Sequence, residues 1–161
     1  GRLEFFHAFG RQWLLDGAHN PQKMQALVRT VGAWYPGKKI PCVVAMKSGK
    51  ANTTTLRSLR DISGPVIATS FSGRADSVIQ SAPPKTLAVI LQRLGMHSVE
   101  IEPEIAQALE RASAANNGTL PILVTGSLYL VGAMREMLRK EETVKKLVIL
   151  GRSDSADPGI H

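Results

Sequence analysis

The chain alternates short apolar runs with longer segments in which apolar residues recur every three or four positions. The short runs are typical of strands and cover residues 3–6, 12–15, 41–46, 65–69, 98–101, 121–125 and 147–150. The periodic segments predict helices from residue 21 to about 35 and over residues 53–60, 85–94, 103–115 and 127–140. Strands that alternate with helices pack as a mostly parallel sheet. We therefore expect an α/β, Rossmann-like domain of three layers, with about six strands and helices on both faces.

The first helix has clear sequence signals at both ends. Asn20 is a preferred capping residue, and Pro21 suits the first helical turn because it needs no amide donor there. Pro36 and Gly37 end the helix. Its apolar face is predicted to contain Met24, Leu27, Val28, Val31 and Trp34.

Composition and charge narrow the class of protein. The 161 residues carry a formal net charge of +7, which favours anionic partners. The cations are scattered without interleaved aromatic residues, so a small anionic ligand fits better than a nucleic acid. Cys42, the single cysteine, lies in an apolar run and is expected in the core of a protein from a reducing compartment. No run is apolar for the roughly 20 residues that a membrane helix needs. We expect a cytoplasmic protein, or a mitochondrial one in a eukaryote.

The stretch DGAHNP follows the second strand and precedes the first helix. Ligands of open parallel sheets collect at this edge, where helix N-termini offer unpaired amides. Gly17 and Ala18 keep the loop small, Asp16 offers a carboxylate suited to ribose hydroxyls, and His19 offers a donor or acceptor. A plain turn with a capping residue explains the Gly and Asn as well.

Two further strand ends carry polar residues. Strand 121–125 ends at Gly126, and Ser127 starts the next helix at the same expected edge. The third strand leads into Lys47 and Lys50, and the sequence leaves open which of the two faces a ligand. Neither loop fits the phosphate-loop pattern. The four histidines and Cys42 show no paired-ligand spacing, so we expect no metal site.

Together GRLE, LLDGAHNP, SGK and GSLYLVG resemble the C-terminal domain of the folylpolyglutamate synthase and dihydrofolate synthase family, within the Mur ligase superfamily. The order and spacing match across nearly the whole chain. The resemblance implies a Rossmann-like domain at residues 1–150, a polar and flexible tail at 151–161, and an N-terminal ATP-binding domain outside this sequence. The chain opens without Met and directly in a strand pattern, so we expect a piece of a longer polypeptide.

The resemblance also implies a reaction. Such a ligase joins L-glutamate to dihydropteroate or folate through an acyl phosphate made with ATP and Mg²⁺, the metal ligands lying on the N-terminal domain. By similarity, Arg2 reaches the ATP phosphates, Asp16 holds the ribose, and His19, Lys50 and Ser127 place glutamate. The loop residues Gly17, Ala18, Asn20, Pro21 and Gly126 shape the site. The fragment alone is expected to be inactive.

Three alternatives remain open. The first is a Mur-type ligase that adds an amino acid to a cell-wall precursor, which GSLYLVG disfavours. The second is a binding module for nucleotides or anions that has lost its chemistry. The third, suggested by charge alone, is a nucleic-acid binder.

Overall fold

The computed structural model describes residues 3–73, 78–115 and 118–154, with the side chains of the last helix described up to residue 142. The strands are β1 (Glu4–Ala8), β2 (Arg11–Asp16), β3 (Ile40–Val44), β4 (Ser63–Ala68), β5 (Val99–Ile101) and β6 (Ile122–Thr125). The helices are α1 (Pro21–Trp34), α2 (Thr53–Leu56), α3 (Pro84–Arg93), α4 (Ile105–Ala115) and α5 (Leu128–Asp154), with a 3-10 turn at Arg57–Asp61 after α2.

The six strands form one mixed, mostly parallel sheet in the order β1-β2-β6-β3-β4-β5. Only the edge strand β1 runs antiparallel, through its hairpin with β2, and the other neighbours are parallel. The last strand of the described residues, β6, lies between β2 and β3. The predicted fold class is thereby confirmed.

Two apolar cores cover the two faces of the sheet. Alternate strand residues point to opposite faces. Leu14 and Leu123 thus join a core beneath α1, α2 and α3, whereas Trp13 and Val124 join the core beneath α4 and α5. Cys42 is 1% exposed in the first core, as predicted, and burial raises the pKa of its thiol to about 12.

The caps of α1 follow the sequence signals. The Asn20 side chain accepts a hydrogen bond from the Lys23 amide at 2.9 Å, and Pro21 is the first helical residue. Of the predicted apolar face, Met24, Leu27, Val28 and Val31 are buried, but Trp34 is 48% exposed. Trp34 lies at the rim of that face, where its ring packs against Phe5 with centroids 5.5 Å apart.

The predicted strand at residues 147–150 is wrong. This segment continues α5, which extends to Asp154. A short apolar run cannot be assigned to strand or helix by its pattern alone. Here no Pro or Gly interrupts residues 133–150, so nothing ends the helix before that run. Residues 151–154 of the predicted tail also belong to α5, and residues 155–161 lie outside the described part of the chain.

Candidate functional site

The carboxyl ends of three neighbouring strands place three loops side by side. Asp16 at the end of β2 is in register with Thr125 at the end of β6, and Thr125 is in register with Val44 of β3. The chain continues from these ends into the segments 16–20, 126–129 and 47–50. The sheet order therefore brings together stretches that lie up to about 110 residues apart in the sequence.

Two glycines permit this close approach. A Cβ atom at Gly17 would collide with the Leu128 side chain at the start of α5. Gly126 has a φ of +105°, and a Cβ there would lie 3.0 Å from Met46 Sδ and closer still to the Ala45 carbonyl oxygen. Glycine is thus required at Gly126 both for its backbone conformation and for its contact with β3. The structure thus explains why glycine occurs at Gly17 and at Gly126, two of the predicted loop residues.

A basic cavity of about 240 Å³ opens between these loops. It is lined by His19, Lys47, Lys50, Gly126, Ser127, Leu128 and Tyr129. The three predicted glutamate-site residues therefore meet at one place, and Lys47 joins Lys50 there. Both ammonium groups are on exposed side chains. Two lysines beside a helix N-terminus make this cavity suited to an anion.

His19 lines the basic cavity, and one of its ring nitrogens contacts the backbone. Its Nδ1 lies 2.8 Å from the Gly17 carbonyl oxygen. A carbonyl only accepts, so this contact fixes the proton on Nδ1 of the neutral ring. Nε2 is then left as an acceptor, able to receive a hydrogen bond from a ligand ammonium or hydroxyl group.

Ser127 is buried, at 3% exposure, and serves first as a helix cap. Its Oγ accepts a hydrogen bond from the Tyr129 amide at 3.1 Å, in the first turn of α5. The hydroxyl proton is still available for donation. Tyr129, which is 43% exposed, stacks on the buried Phe71 with ring centroids 5.6 Å apart. The sequence pattern does not mark Leu128 or Tyr129 as site residues, although GSLYLVG contains both.

Asp16 faces a second cavity, of about 250 Å³, between the start of β1 and helix α1. The lining residues are Leu3, Asp16, Lys23, Ala26, Leu27 and Thr30. Asp16 is 8% exposed, and its Oδ1 accepts a hydrogen bond from the Ala18 amide at 2.9 Å. In the described residues no cation forms an ion pair with this carboxylate. We call this space the Asp16 cavity.

The expected site is thus divided between two cavities. His19, Lys50 and Ser127 share the basic cavity, while Asp16, three residues before His19, opens onto another. Arg2 lies outside the described residues. Within the described ranges, no group of three or more His, Cys, Asp or Glu side chains is placed to hold a metal ion. No helix of the described part is long and apolar enough to cross a membrane.

Comparison with protein-family models and with known proteins identifies the family of this chain. The family model of the dihydrofolate synthetase C-terminal domain matches residues 6–140. The chain is also similar to a probable bifunctional folylpolyglutamate synthase/dihydropteroate synthase of Haloferax volcanii, at 31% identity over 122 residues. That match covers 76% of this chain and 14% of the relative, so this chain corresponds to a small part of the longer protein.

Solved structures give the same fold. A folylpolyglutamate synthase of Thermotoga maritima matches with a TM-score of 0.68 and 29% identity, over 86% of this chain and 30% of that one. A bifunctional folylpolyglutamate synthase/dihydrofolate synthase solved with Mn, AMPPNP and L-glutamate bound matches with a TM-score of 0.64 and 22% identity. The match covers 80% of this chain and 29% of that one.

Proposed function

The chain belongs to the family of dihydrofolate synthetase C-terminal domains, within the folylpolyglutamate and dihydrofolate synthase ligases, and on that premise we propose a function for it. We propose that it is the C-terminal part of an ATP-dependent ligase that joins L-glutamate to dihydropteroate or to a folate. Its task is to hold the nucleotide and glutamate against an N-terminal domain of the same polypeptide. Alone, the chain binds these ligands weakly and turns nothing over.

The reaction requires charge to be neutralised at each step. A carboxylate is a poor electrophile, so transfer of the γ-phosphoryl group of ATP first converts it to an acyl phosphate. The glutamate amine then attacks the acyl carbon, inorganic phosphate leaves and an amide is formed. Holding the amine beside the acyl phosphate saves the entropy of a bimolecular encounter, which contributes about 7–11 kcal/mol in the best cases. Closing the two domains excludes water that would hydrolyse the intermediate.

Asp16 is the proposed ribose ligand. Its carboxylate is nearly buried, is held at Oδ1 by the Ala18 amide, and has no cation paired with it in the described residues. An unpaired carboxylate attracts hydroxyl donors and repels phosphates. The two neighbouring hydroxyl groups of a ribose can donate to it and carry no negative charge. Arg2, by its family position only, is proposed to reach the phosphates from the chain that enters β1.

The basic cavity is the proposed glutamate site. Lys47, Lys50 and the α5 N-terminus supply positive potential for a carboxylate, and the Ser127 hydroxyl can donate to it. Nε2 of His19 accepts a hydrogen bond from the glutamate ammonium group, which loses a proton to become the attacking amine. The related structure with L-glutamate and AMPPNP bound supports a site for each ligand in this class of ligase. The Mg²⁺ that accompanies ATP is assigned to residues outside this chain.

One observation carries the proposal: residues from three distant stretches, His19, Lys50 and Ser127, line a single cavity at the carboxyl edge of the sheet. A module that had lost its chemistry would have no reason to keep an imidazole, a lysine and a hydroxyl together there. The family match also favours the folate branch over cell-wall ligases, since the matching relatives are folylpolyglutamate or dihydrofolate synthases.

The test is steady-state kinetics of the full-length polypeptide with ATP, L-glutamate and dihydropteroate or tetrahydrofolate, following ADP release. Asp16→Asn keeps an acceptor for the Ala18 amide but removes the charge, so the KM for ATP is expected to rise about tenfold while that for glutamate changes little. Lys50→Met is expected to raise the KM for glutamate about tenfold and to leave that for ATP unchanged.

Two surface variants serve as controls. Asp61→Asn removes an exposed carboxylate and Lys38→Met an exposed ammonium, both outside the two cavities. Neither is expected to change either KM by more than twofold. Two results would refute the proposed glutamate site. One is ADP release that does not depend on glutamate, and the other is a Lys50→Met enzyme with normal glutamate kinetics.

A further inference from the structure

The strand next to Asp16 carries a buried threonine. Thr125 ends β6, is fully buried, and its Oγ1 has no hydrogen-bond partner in the described part of the chain. Burying a hydroxyl without a partner costs stability, and most buried polar atoms in folded proteins are paired. This position therefore calls for an explanation.

The sheet register places Thr125 next to Asp16. The two residues are direct partners of the parallel pair β2 and β6, whose strands run about 4.8 Å apart. Two residues earlier, Leu14 and Leu123 belong to the same core, so Asp16 and Thr125 also point to one face of the sheet. That face carries α1, which lines the Asp16 cavity.

The carboxylate has room for another donor. Its only hydrogen bond in the described residues comes from the Ala18 amide to Oδ1. An ionised carboxylate has about four lone-pair sites. Rotation of Thr125 about χ1 reorients its Oγ1 without any backbone change.

We propose that Thr125 is a positioning residue for Asp16. Its hydroxyl donates to the Asp16 carboxylate when the nucleotide is bound, and so holds both carboxylate oxygens where they accept from the two ribose hydroxyls. Ala18 fixes one oxygen from the loop, and Thr125 fixes the other from the neighbouring strand. This inference rests on the proposed nucleotide site and adds to it a residue that does not touch the ligand.

If the Thr125 hydroxyl served the fold, its removal would lower stability, but it has no hydrogen-bond partner in the described residues. Valine has nearly the shape of threonine without the hydroxyl, and replacing an unpartnered buried hydroxyl with a methyl group removes a desolvation cost. Thr125→Val is thus expected to melt at the same temperature as the parent or higher. If the hydroxyl serves Asp16, the same variant binds the nucleotide less well.

The experiment uses the full-length polypeptide and compares Thr125→Val and Thr125→Ser. Thr125→Val is expected to raise the KM for ATP about tenfold at unchanged KM for glutamate, because a hydrogen bond to a charged group is lost. Thr125→Ser keeps the hydroxyl and is expected to stay within about twofold of the parent. The thermal midpoint of each variant, measured by circular dichroism, reports folding separately.

Ser63→Ala is the matched control. Ser63 also has a buried Oγ without a partner in the described residues, but it begins β4 and so lies at the amino end of a strand, whereas Asp16 and Thr125 lie at carboxyl ends. Its substitution is expected to leave the KM for ATP unchanged. A rise in that variant equal to the rise in Thr125→Val would refute the specific role of Thr125.

A double-mutant cycle with Asp16→Asn separates the two proposals. If Thr125 acts through Asp16, Thr125→Val adds no further rise in the Asp16→Asn background. If Asp16→Asn raises the KM for ATP and Thr125→Val alone does not, the positioning role fails and the ribose site stands. If Asp16→Asn itself has no effect, the ribose role fails and the positioning role fails with it.

Discussion

Replacing Gly126 with alanine tests how the loop after β6 is built. Gly126 has a φ of +105°, a conformation that residues with a Cβ rarely adopt. The added methyl would also lie 3.2 Å from the Ala45 carbonyl carbon, closer to its oxygen, and 3.0 Å from Met46 Sδ. The sulfur can move, since Met is flexible, but the Ala45 carbonyl belongs to the backbone next to β3 and cannot.

The expected cost is the sum of two effects. Backbone strain at such a φ costs about 1–3 kcal/mol, and forcing a methyl group into a packed region costs about 1–3 kcal/mol more. The lower entropy of the unfolded alanine variant offsets about 0.4–1 kcal/mol. The free energy of unfolding should thus fall by about 2–5 kcal/mol, out of the roughly 5–15 kcal/mol typical of a domain. The melting temperature should drop by about 5–15 °C.

The assay is urea unfolding of this chain, followed by circular dichroism and fitted to two states. Gly37→Ala is the matched control, because Gly37 has a φ of +70° but nothing within 4 Å of the added Cβ. That variant meets only the backbone strain, and its loss is expected to be about 1 kcal/mol. Equal losses for the two variants would show that the contact with Ala45 contributes nothing and would refute the packing argument.

Two further predictions concern titratable groups. The Arg135 guanidinium donates hydrogen bonds to the Glu4 carboxylate and so lowers the pKa of Glu4 below its ordinary 4.5. The stability from this pair is therefore complete above pH 4.5 and lost as the pH falls through the lowered pKa. Both side chains are about one third exposed, so the solvent screens the pair. In urea unfolding at pH 7, Arg135→Met should be less stable than the parent by only about 1 kcal/mol. This difference should shrink below pH 4.5. An unchanged difference at pH 3 would contradict this reasoning. The buried Cys42 thiol has a pKa raised to about 12, so it should resist a maleimide at pH 7.5 in the native chain. It should react once the chain is unfolded in 6 M guanidinium. Rapid labelling of the native chain would disprove its burial.

The local elements followed directly from the sequence. Asn20 and Pro21 cap and open α1 because their side-chain chemistry acts within one turn, and the buried face of that helix follows from its 3.6-residue period. The sequence places Gly126 in the loop after a strand, but the need for glycine there follows from its φ and its contact with Ala45 in the structure. The periodic pattern failed at residues 147–150, where an apolar run without a helix breaker extends α5, and at Trp34, which is half exposed at the rim of α1.

The arrangement of the site was decided by the tertiary structure. The sequence places Asp16 and Thr125 more than 100 residues apart, and only the position of β6 between β2 and β3 makes them neighbours. The division into two cavities likewise depends on how α1 and the start of α5 pack on that edge. Local patterns determine which face a residue occupies because they act over a few bonds. Strand order depends on long-range packing of two cores, and a strand's own residues carry little information about its neighbours.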